Sequence, residues 1–203
     1  MAFKIDLDWL FRTTSSSRDY VHRGETLIKY DYANRSGVLF IHIHSSGRDD
    51  LKGNIKSWVL NFAKMKLPVF GGVHSGFYSI AKSIEKECLK IITTYKPNKV
   101  VFVGYSQGGA VASILRKMLP GRAAIAVTFA QPRAVGWLAK KDDNVIRIFV
   151  RGDKVTHLPF FLLCRYKHIG KKIAIGKRRI FPRIKWHYSE IYEANLKGRV
   201  IEI

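Results

Sequence analysis

The sequence predicts an α/β fold, with a mostly parallel central sheet and helices on both of its faces. Three observations lead there. Short apolar runs rich in β-branched residues alternate with segments whose apolar positions recur every three or four residues. The run Lys99–Gly104 lacks the period-two alternation of a half-exposed strand, as expected for a strand covered on both faces. A Gly-x-Ser-x-Gly sequence, Gly104 to Gly108, lies where that run meets the next helical segment.

Taken in order, Thr14 to Asp19 reads as a polar loop, and Glu25–Asp31 and Gly37–His44 as strands. Ser45 to Asp50 is a turn. Residues 51–66 read as a helix with Ile55, Val59 and Phe62 on one side, broken by Pro68 and Gly71-Gly72. Phe77, Ile80, Ala81, Ile84, Cys88 and Ile91 mark an amphipathic helix that ends before Pro97. After the strand Lys99–Gly104, Ala110, Val111, Ile114, Leu115 and Met118 mark another, stopped by Pro120-Gly121. Ala123–Ala130 and Val145–Val150 read as further strands, with a short helix between them near Ala134–Lys140. A basic hairpin is expected farther on, Lys172–Ile175 pairing with Ile180–Ile184. One domain over residues 1–203 is the expectation from length.

The composition narrows the class. The apolar share is 47% and the aromatic share 12%, which excludes a disordered basic tail. No run approaches the roughly 18 apolar residues of a membrane span. The acids in Met1 to Asp8 leave no apolar run for a secretory signal, so a cytoplasmic or peripheral-membrane location is expected. Cys88 and Cys164 read as separate thiols, and no metal site or cofactor motif is visible. The net charge is +21 and unevenly spread. No acid occurs from Cys88 to Lys141, nor from Lys154 to Ser189, where ten Lys/Arg fall. Such a charge attracts polyanions of any kind.

The Gly-x-Ser-x-Gly sequence has the context of a nucleophile elbow. The strand enters it, the helix leaves it, and small flanking residues let the backbone turn sharply enough to lift Ser106 Oγ off the sheet. A serine hydroxyl needs a base, and the base an orienting acid. In folds with this elbow, acid and then histidine follow the serine in the chain. After Ser106 the acids are Asp142, Asp143, Asp153, Glu190, Glu193 and Glu202. Asp142 and Asp143 precede the strand Val145–Val150 and fall at the far end of the sheet. Asp153 follows that strand and falls at the carboxyl end, where active sites collect. Among the histidines, His157 is too close in sequence to Asp153, and His168 lies among lysines and reads as a surface residue. His187 remains as the base.

Several segments, in order, resemble the class 3 lipases, the fungal-lipase-like branch of the α/β-hydrolases. Val73-His74-Ser75-Gly76-Phe77 is similar to the family's V-H-x-G-F, and Gly104 to Ala110 to its G-H-S-L-G-G-A, with Tyr105 and Gln107 substituted. Thr128 to Arg133 resembles T-F-G-x-P-R, Asp153 to Pro159 resembles D-x-V-P-x-L-P, and His187 to Tyr192 resembles H-x-G-x-E-I-W/Y. The resemblance runs from about residue 37 to 193. It implies the same triad, Ser106, Asp153 and His187. It implies an oxyanion hole made by the Gln107 N–H and by Ser45, with Ser46 as the alternative because Ile43-His44 replaces the family's R-G. It implies a helical lid over about residues 50–72, with Trp58, Val59, Leu60 and Phe62 as apolar candidates; a helix packed on the core is the alternative. The chain is short for the family.

Arg165 to Lys185 forms a basic insertion with nine Lys/Arg and no acid, interleaved with Tyr166 and Phe181 and followed by Trp186. Basic residues near an anionic membrane gain about 1 kcal/mol each, and aromatics suit the headgroup zone. The expectation is a lipid esterase, a lipase or phospholipase, that docks on anionic membranes through Lys171, Lys172, Lys177, Arg178 and Arg179. The alternatives are a soluble small-ester hydrolase or thioesterase with the same triad, and a nucleic-acid-binding protein, for which no recognition motif is present.

Overall fold

A computed structural model of the chain describes residues 3–15, 21–23, 26–33, 36–44, 72–119, 124–159, 165–177 and 181–203. Strand β1 (Lys4–Asp6) leads into helix α1 (Leu7–Ser15). Strands β2 (Val21–Arg23), β3 (Thr26–Ala33) and β4 (Val38–His44) follow. Helix α2 (Ser75–Tyr95), β5 (Lys99–Tyr105), helix α3 (Gln107–Met118) and β6 (Ala124–Phe129) come next. Then come β7 (Val135–Gly136), β8 (Val145–Val150), β9 (Tyr166–Lys167) and β10 (Lys171–Ile175). Helix α4 (Ser189–Leu196) and β11 (Val200–Glu202) close the order.

Seven strands form one sheet in the order β10-β8-β6-β5-β4-β3-β2. From β10 to β4 every pairing is parallel, while β3 and β2 add antiparallel at one edge. The parallel strands are covered on both sides, which is why they read as continuous apolar runs. Along β5, Val100 and Phe102 join the core under α2 and α3, and Val101, Val103 and Tyr105 join the core under α1 and α4. Along β4, Leu39, Ile41 and Ile43 face the first of these, and Val38 and Phe40 the second. The result is three layers, helix–sheet–helix. The carboxyl ends of β5, β6 and β8 share one edge, and the loops leaving that edge build the site.

Helix α1 was not expected from the sequence. Asp6 caps it, its Oδ1 accepting from the Asp8 N–H at 2.8 Å and the Trp9 N–H at 3.1 Å. Leu7, Leu10, Phe11 and Thr14 are buried. Phe11 meets Phe129 and Tyr105 edge-on and stacks on Tyr192. Thr14 and Ser15, expected in a loop, therefore belong to the last turn of this helix.

Two further expectations are corrected. Residues 134–140 do not form a helix. Val135–Gly136 pairs antiparallel with Tyr166–Lys167, Val73 bridges to Val135, and the Ala134 carbonyl accepts from the His74 N–H, so neighbouring chain claims this backbone. Nor does the basic hairpin form among the described residues, outside which Ile180 lies. Lys171–Ile175 instead extends the main sheet, in register with Ile146–Val150 of β8 through five residue pairs, and Ile175 is fully buried there. Ile184 starts a short 3-10 turn, Ile184–His187, and not a strand. The turn at 45–50, the helix at 51–66, nearly all of the lid segment, Ser45, Ser46, Cys164, Arg178 and Arg179 lie outside the described residues. Cys88 is a free, buried thiol. Among the described residues no helix is long and apolar enough to cross a membrane.

Candidate active site

Strand β5 delivers Ser106 at the sheet edge. The residue takes φ 54° and ψ −120°, a left-handed conformation that a serine adopts only under constraint. Two glycines supply the constraint. A Cβ on Gly104 would stand 2.2 Å from the Gly108 carbonyl, and one on Gly108 would stand 2.1 Å from the Ile43 carbonyl. The elbow is thus pressed between the first turn of α3 and the end of β4, and only glycine fits at either contact. The Ser106 N–H is fixed by the Phe129 carbonyl at 2.8 Å. Ser106 stands at the N-cap of α3 but makes no capping hydrogen bond with its side chain. Its hydroxyl is turned elsewhere, and the Gln107 N–H opens the helix with no partner in the preceding turn.

The hydroxyl meets His187. Ser106 Oγ lies 2.8 Å from His187 Nε2, and His187 Nδ1 lies 2.8 Å from Asp153 Oδ2. With Asp153 taking the Nδ1–H, Nε2 is left as the acceptor for the serine O–H. Ser106 is 8% exposed, His187 1% and Asp153 0%, so water competes little for these contacts. Asp153 follows β8 after the Arg151-Gly152 turn, and its N–H donates to the Val150 carbonyl at 3.0 Å. Its Oδ1 accepts from the Val155 N–H at 2.9 Å. His187 arrives on the 3-10 turn Ile184–His187, which Arg183 anchors by donating its N–H to the Gly152 carbonyl. The three residues singled out in the sequence therefore meet, although 81 positions separate the first from the last.

Two tyrosines complete the arrangement and were not singled out. Tyr192, fully buried on α4, donates to Asp153 Oδ2 at 2.7 Å and accepts from the Val150 N–H at 3.1 Å. Tyr105 donates to the His187 carbonyl and lays its ring nearly parallel to the imidazole, 5.4 Å away. Burial and the nearby Asp153 carboxylate hold both phenols well above their usual pKa, so both remain donors. The available signals were their positions inside the two motifs, directly before the serine and five residues after the histidine.

The other candidates sit apart. Asp142 and Asp143 precede β8, at the end of the sheet away from Ser106. His157 is exposed beside Leu158 and makes no contact in the chain of hydrogen bonds from Asp153 to Ser106. His168, expected at the surface, is mostly enclosed. Its Nε2 pairs with the Thr156 carbonyl at 2.7 Å, and burial with the nearby Arg147 pushes its pKa down to about 3. Of the basic candidates, Lys171 and Lys172 open β10 opposite the start of β8, roughly 13 Å of strand from the site edge. Lys177 leaves the other end of that strand, on the edge that holds Ser106, and is exposed.

The fold recurs in solved structures. A lipase from Rhizopus microsporus var. chinensis aligns with a TM-score of 0.59 at 19% identity, over 76% of this chain and 58% of its own. A mutant form of MDLA from Penicillium cyclopium aligns at 0.60 and 20%, over 82% of this chain and 63% of its own. The nonglycosylated LIP2 lipase of Yarrowia lipolytica aligns at 0.61 and 19%, over 82% and 68%. The chain thus spans about three-fifths of the length of the first two, and the likeness is one of fold, the α/β-hydrolase fold. A search of curated proteins finds no match. Residues 41–163, more than half of the sequence and including the elbow and Asp153, match the sequence model of the lipases of class 3, and the chain belongs to that family.

Proposed function

We propose that the chain is a serine carboxylic-ester hydrolase acting on lipid esters, with Ser106 as nucleophile, His187 as base and Asp153 as the orienting acid. The observation that carries this reading is the unbroken hydrogen-bonded series Asp153–His187–Ser106, ending on a strained serine that faces away from its own helix. As Ser106 Oγ attacks the ester carbonyl, His187 Nε2 takes its proton, and Asp153 stabilises the imidazolium that forms. The carbonyl oxygen becomes an oxyanion. The Gln107 N–H at the head of α3, without a partner among the described residues, would receive it, as expected for the residue after such a nucleophile. The second donor is Ser45 or Ser46. Both follow β4, whose Ile43 carbonyl already touches the elbow at Gly108. Collapse of the intermediate breaks the C–O bond, and His187 returns the proton to the departing alcohol. Water then attacks the acyl-serine with His187 again as base, releasing the acid and restoring Ser106.

The basic rim refines the substrate. Lys177, Arg183, Lys185 and the exposed Phe181 lie between β10 and His187, on the site side of the sheet. Lys185 Nζ stands 4.6 Å over the Trp186 ring. With Arg178 and Arg179 of the same segment, this rim suits an anionic phospholipid surface.

The test combines labelling and turnover. A fluorophosphonate probe should label the wild type and not Ser106→Ala, and a panel of phospholipids and acylglycerols should be hydrolysed only by the wild type. Equal labelling of the two proteins overturns the assignment of the nucleophile. Turnover of dissolved short esters with no rise at an interface would favour a soluble esterase over a lipid enzyme. Binding to vesicles should strengthen with added anionic lipid and weaken when Lys177, Arg178 and Arg179 are made neutral; indifference to both removes the docking role.

A further inference from the structure

A second group of ionisable side chains gathers on the α3 face of the sheet, apart from the Ser106–His187–Asp153 chain. Arg133, in the loop after β6, donates its backbone N–H to the Leu158 carbonyl at 2.7 Å and its Nη1–H to the Pro159 carbonyl at 2.9 Å. Arg147, on β8 opposite Thr128, donates its Nε–H to the Ile169 carbonyl at 3.0 Å. His168, next to Ile169, donates its Nε2–H to the Thr156 carbonyl. These contacts interlock three loops and bring Arg133, Arg147, His157 and His168 within electrostatic reach of one another. Arg133 acts on the other three, and Arg147 acts on both histidines.

Nothing described balances this charge. Among the described residues Asp153 is the one acid that acts on any of the four, and it reaches only His157. Each guanidinium has five N–H groups, and the carbonyls above use one side-chain N–H from each. His168 Nδ1 is buried with no hydrogen-bond partner among the described residues. Burial and Arg133 lower the pKa of Arg147 to about 10, a sign of how poorly the charge is accommodated. Arg133 and Arg147 are only half-buried, and His157 is exposed, so the group opens to solvent.

We infer that Arg133, Arg147 and His157, with His168 behind them, bind a phosphate-type oxyanion. Two guanidinium forks match the several oxygens of a tetrahedral dianion. A bound P–O–H, or a proton arriving with the anion, satisfies His168 Nδ1. The site lies four residues along the chain from Asp153, so either the headgroup of an anionic phospholipid or a free phosphate could supply the ligand. Binding does not use Ser106 and stands apart from the proposed ester chemistry.

The test uses the full chain and inorganic phosphate, against chloride at matched ionic strength. Calorimetry should show one site, and phosphate should raise Tm. Arg133→Gln and Arg147→Gln should each weaken binding at least tenfold, while Lys140→Gln should not. Arg147→Lys keeps the charge but loses the fork, and should weaken binding while retaining the native circular dichroism spectrum. Monomeric short-chain phosphatidic acid is then titrated into the Ser106→Ala chain. Competition with phosphate assigns the anion to a lipid headgroup; phosphate binding without competition assigns it to a free phosphate. A phosphate effect no larger than that of chloride, or one as large in both glutamine variants as in the wild type, overturns the site.

Discussion

Among the described residues Asp153 accepts three hydrogen bonds, from the Val155 N–H, the Tyr192 hydroxyl and His187. The first two hold the carboxylate in place before the imidazole arrives, so Asp153 can select the His187 tautomer without reorganising. Asp153→Asn keeps the shape but offers an amide that can present a donor to Nδ1. The expected loss in kcat is on the order of 10⁴-fold with the fold retained. Ester turnover and a thermal melt, measured together, check this. Tyr192 holds two partners at once, and Tyr192→Phe strands the buried Val150 N–H. That change should cost about 1–3 kcal/mol of stability, read from the urea midpoint, besides lowering kcat. Tyr105→Phe keeps the ring against His187 and removes the donor to its carbonyl. A fall of about tenfold in kcat with KM unchanged is expected, equivalent to about 1.4 kcal/mol. An equal rise in KM would point to a binding role instead. The meeting of Ser106, Asp153 and His187 was legible because acids are so scarce after the elbow that chain order nearly decides which side chains can converge. The tyrosines were not legible, because a buried hydroxyl aimed at a carboxylate has the same sequence appearance as an aromatic core residue.

At the scale of elements, the elbow depends on how closely α3 approaches β4 and β5. Gly108→Ala places a methyl 2.1 Å from the Ile43 carbonyl, a backbone atom that cannot step aside without moving β4. Overpacking of this kind costs typically 1–3 kcal/mol. The expected result is a loss at or above the top of that range, with activity falling further than stability because the displaced helix carries the Gln107 N–H. Denaturant midpoints alongside fluorophosphonate labelling rates would separate the two effects. The parallel strands β4, β5, β6 and β8 were legible for the same reason the elbow is tight. They are buried on both faces, and their boundaries in the sequence differ little from those observed. Strand β10 was recognised as a strand but given the wrong partner. Lys-Lys-Ile-Ala-Ile carries an edge strand's pattern, and nothing local distinguishes an antiparallel neighbour from β8, which lies more than twenty residues earlier. Helix α1 was missed because it is short and its apolar positions, Leu7, Leu10 and Phe11, span only about one turn. Its stability comes from the Asp6 cap and from Phe11 inserted among Tyr105, Phe129 and Tyr192, contacts that exist only in the folded chain.

Across the whole molecule, the excess of 36 Lys+Arg over 15 Asp+Glu makes added protons costly, and the enclosed histidines make them costlier. His74 caps α2, stacks on Phe77 at 4.3 Å and is fully buried; burial lowers its pKa from 6.5 to about 4. His168 falls to about 3 through burial and Arg147, and His42, buried beneath the sheet's antiparallel edge, is also lowered by burial. The sign follows from linkage. The unfolded chain protonates these histidines as pH drops through about 6.5, while the folded chain cannot do so until its lower pKa values are reached, so acid favours unfolding. Their effect on stability is absent well above pH 6.5 and grows steadily as pH falls from there towards about 4 and then 3. Each pKa unit corresponds to about 1.4 kcal/mol, so His74 alone contributes a loss on the order of a few kcal/mol across its window. Urea midpoints measured at pH 7, 6 and 5 at constant ionic strength should fall monotonically. His74→Asn removes the titrating group and leaves a side-chain oxygen to cap α2 through the Phe77 N–H. The variant should start less stable at pH 7, because the ring no longer packs on Phe77 and Tyr166, yet lose less between pH 7 and pH 5 than the wild type. Parallel lines for the two proteins would remove His74 from the acid response and leave it to His168 and His42.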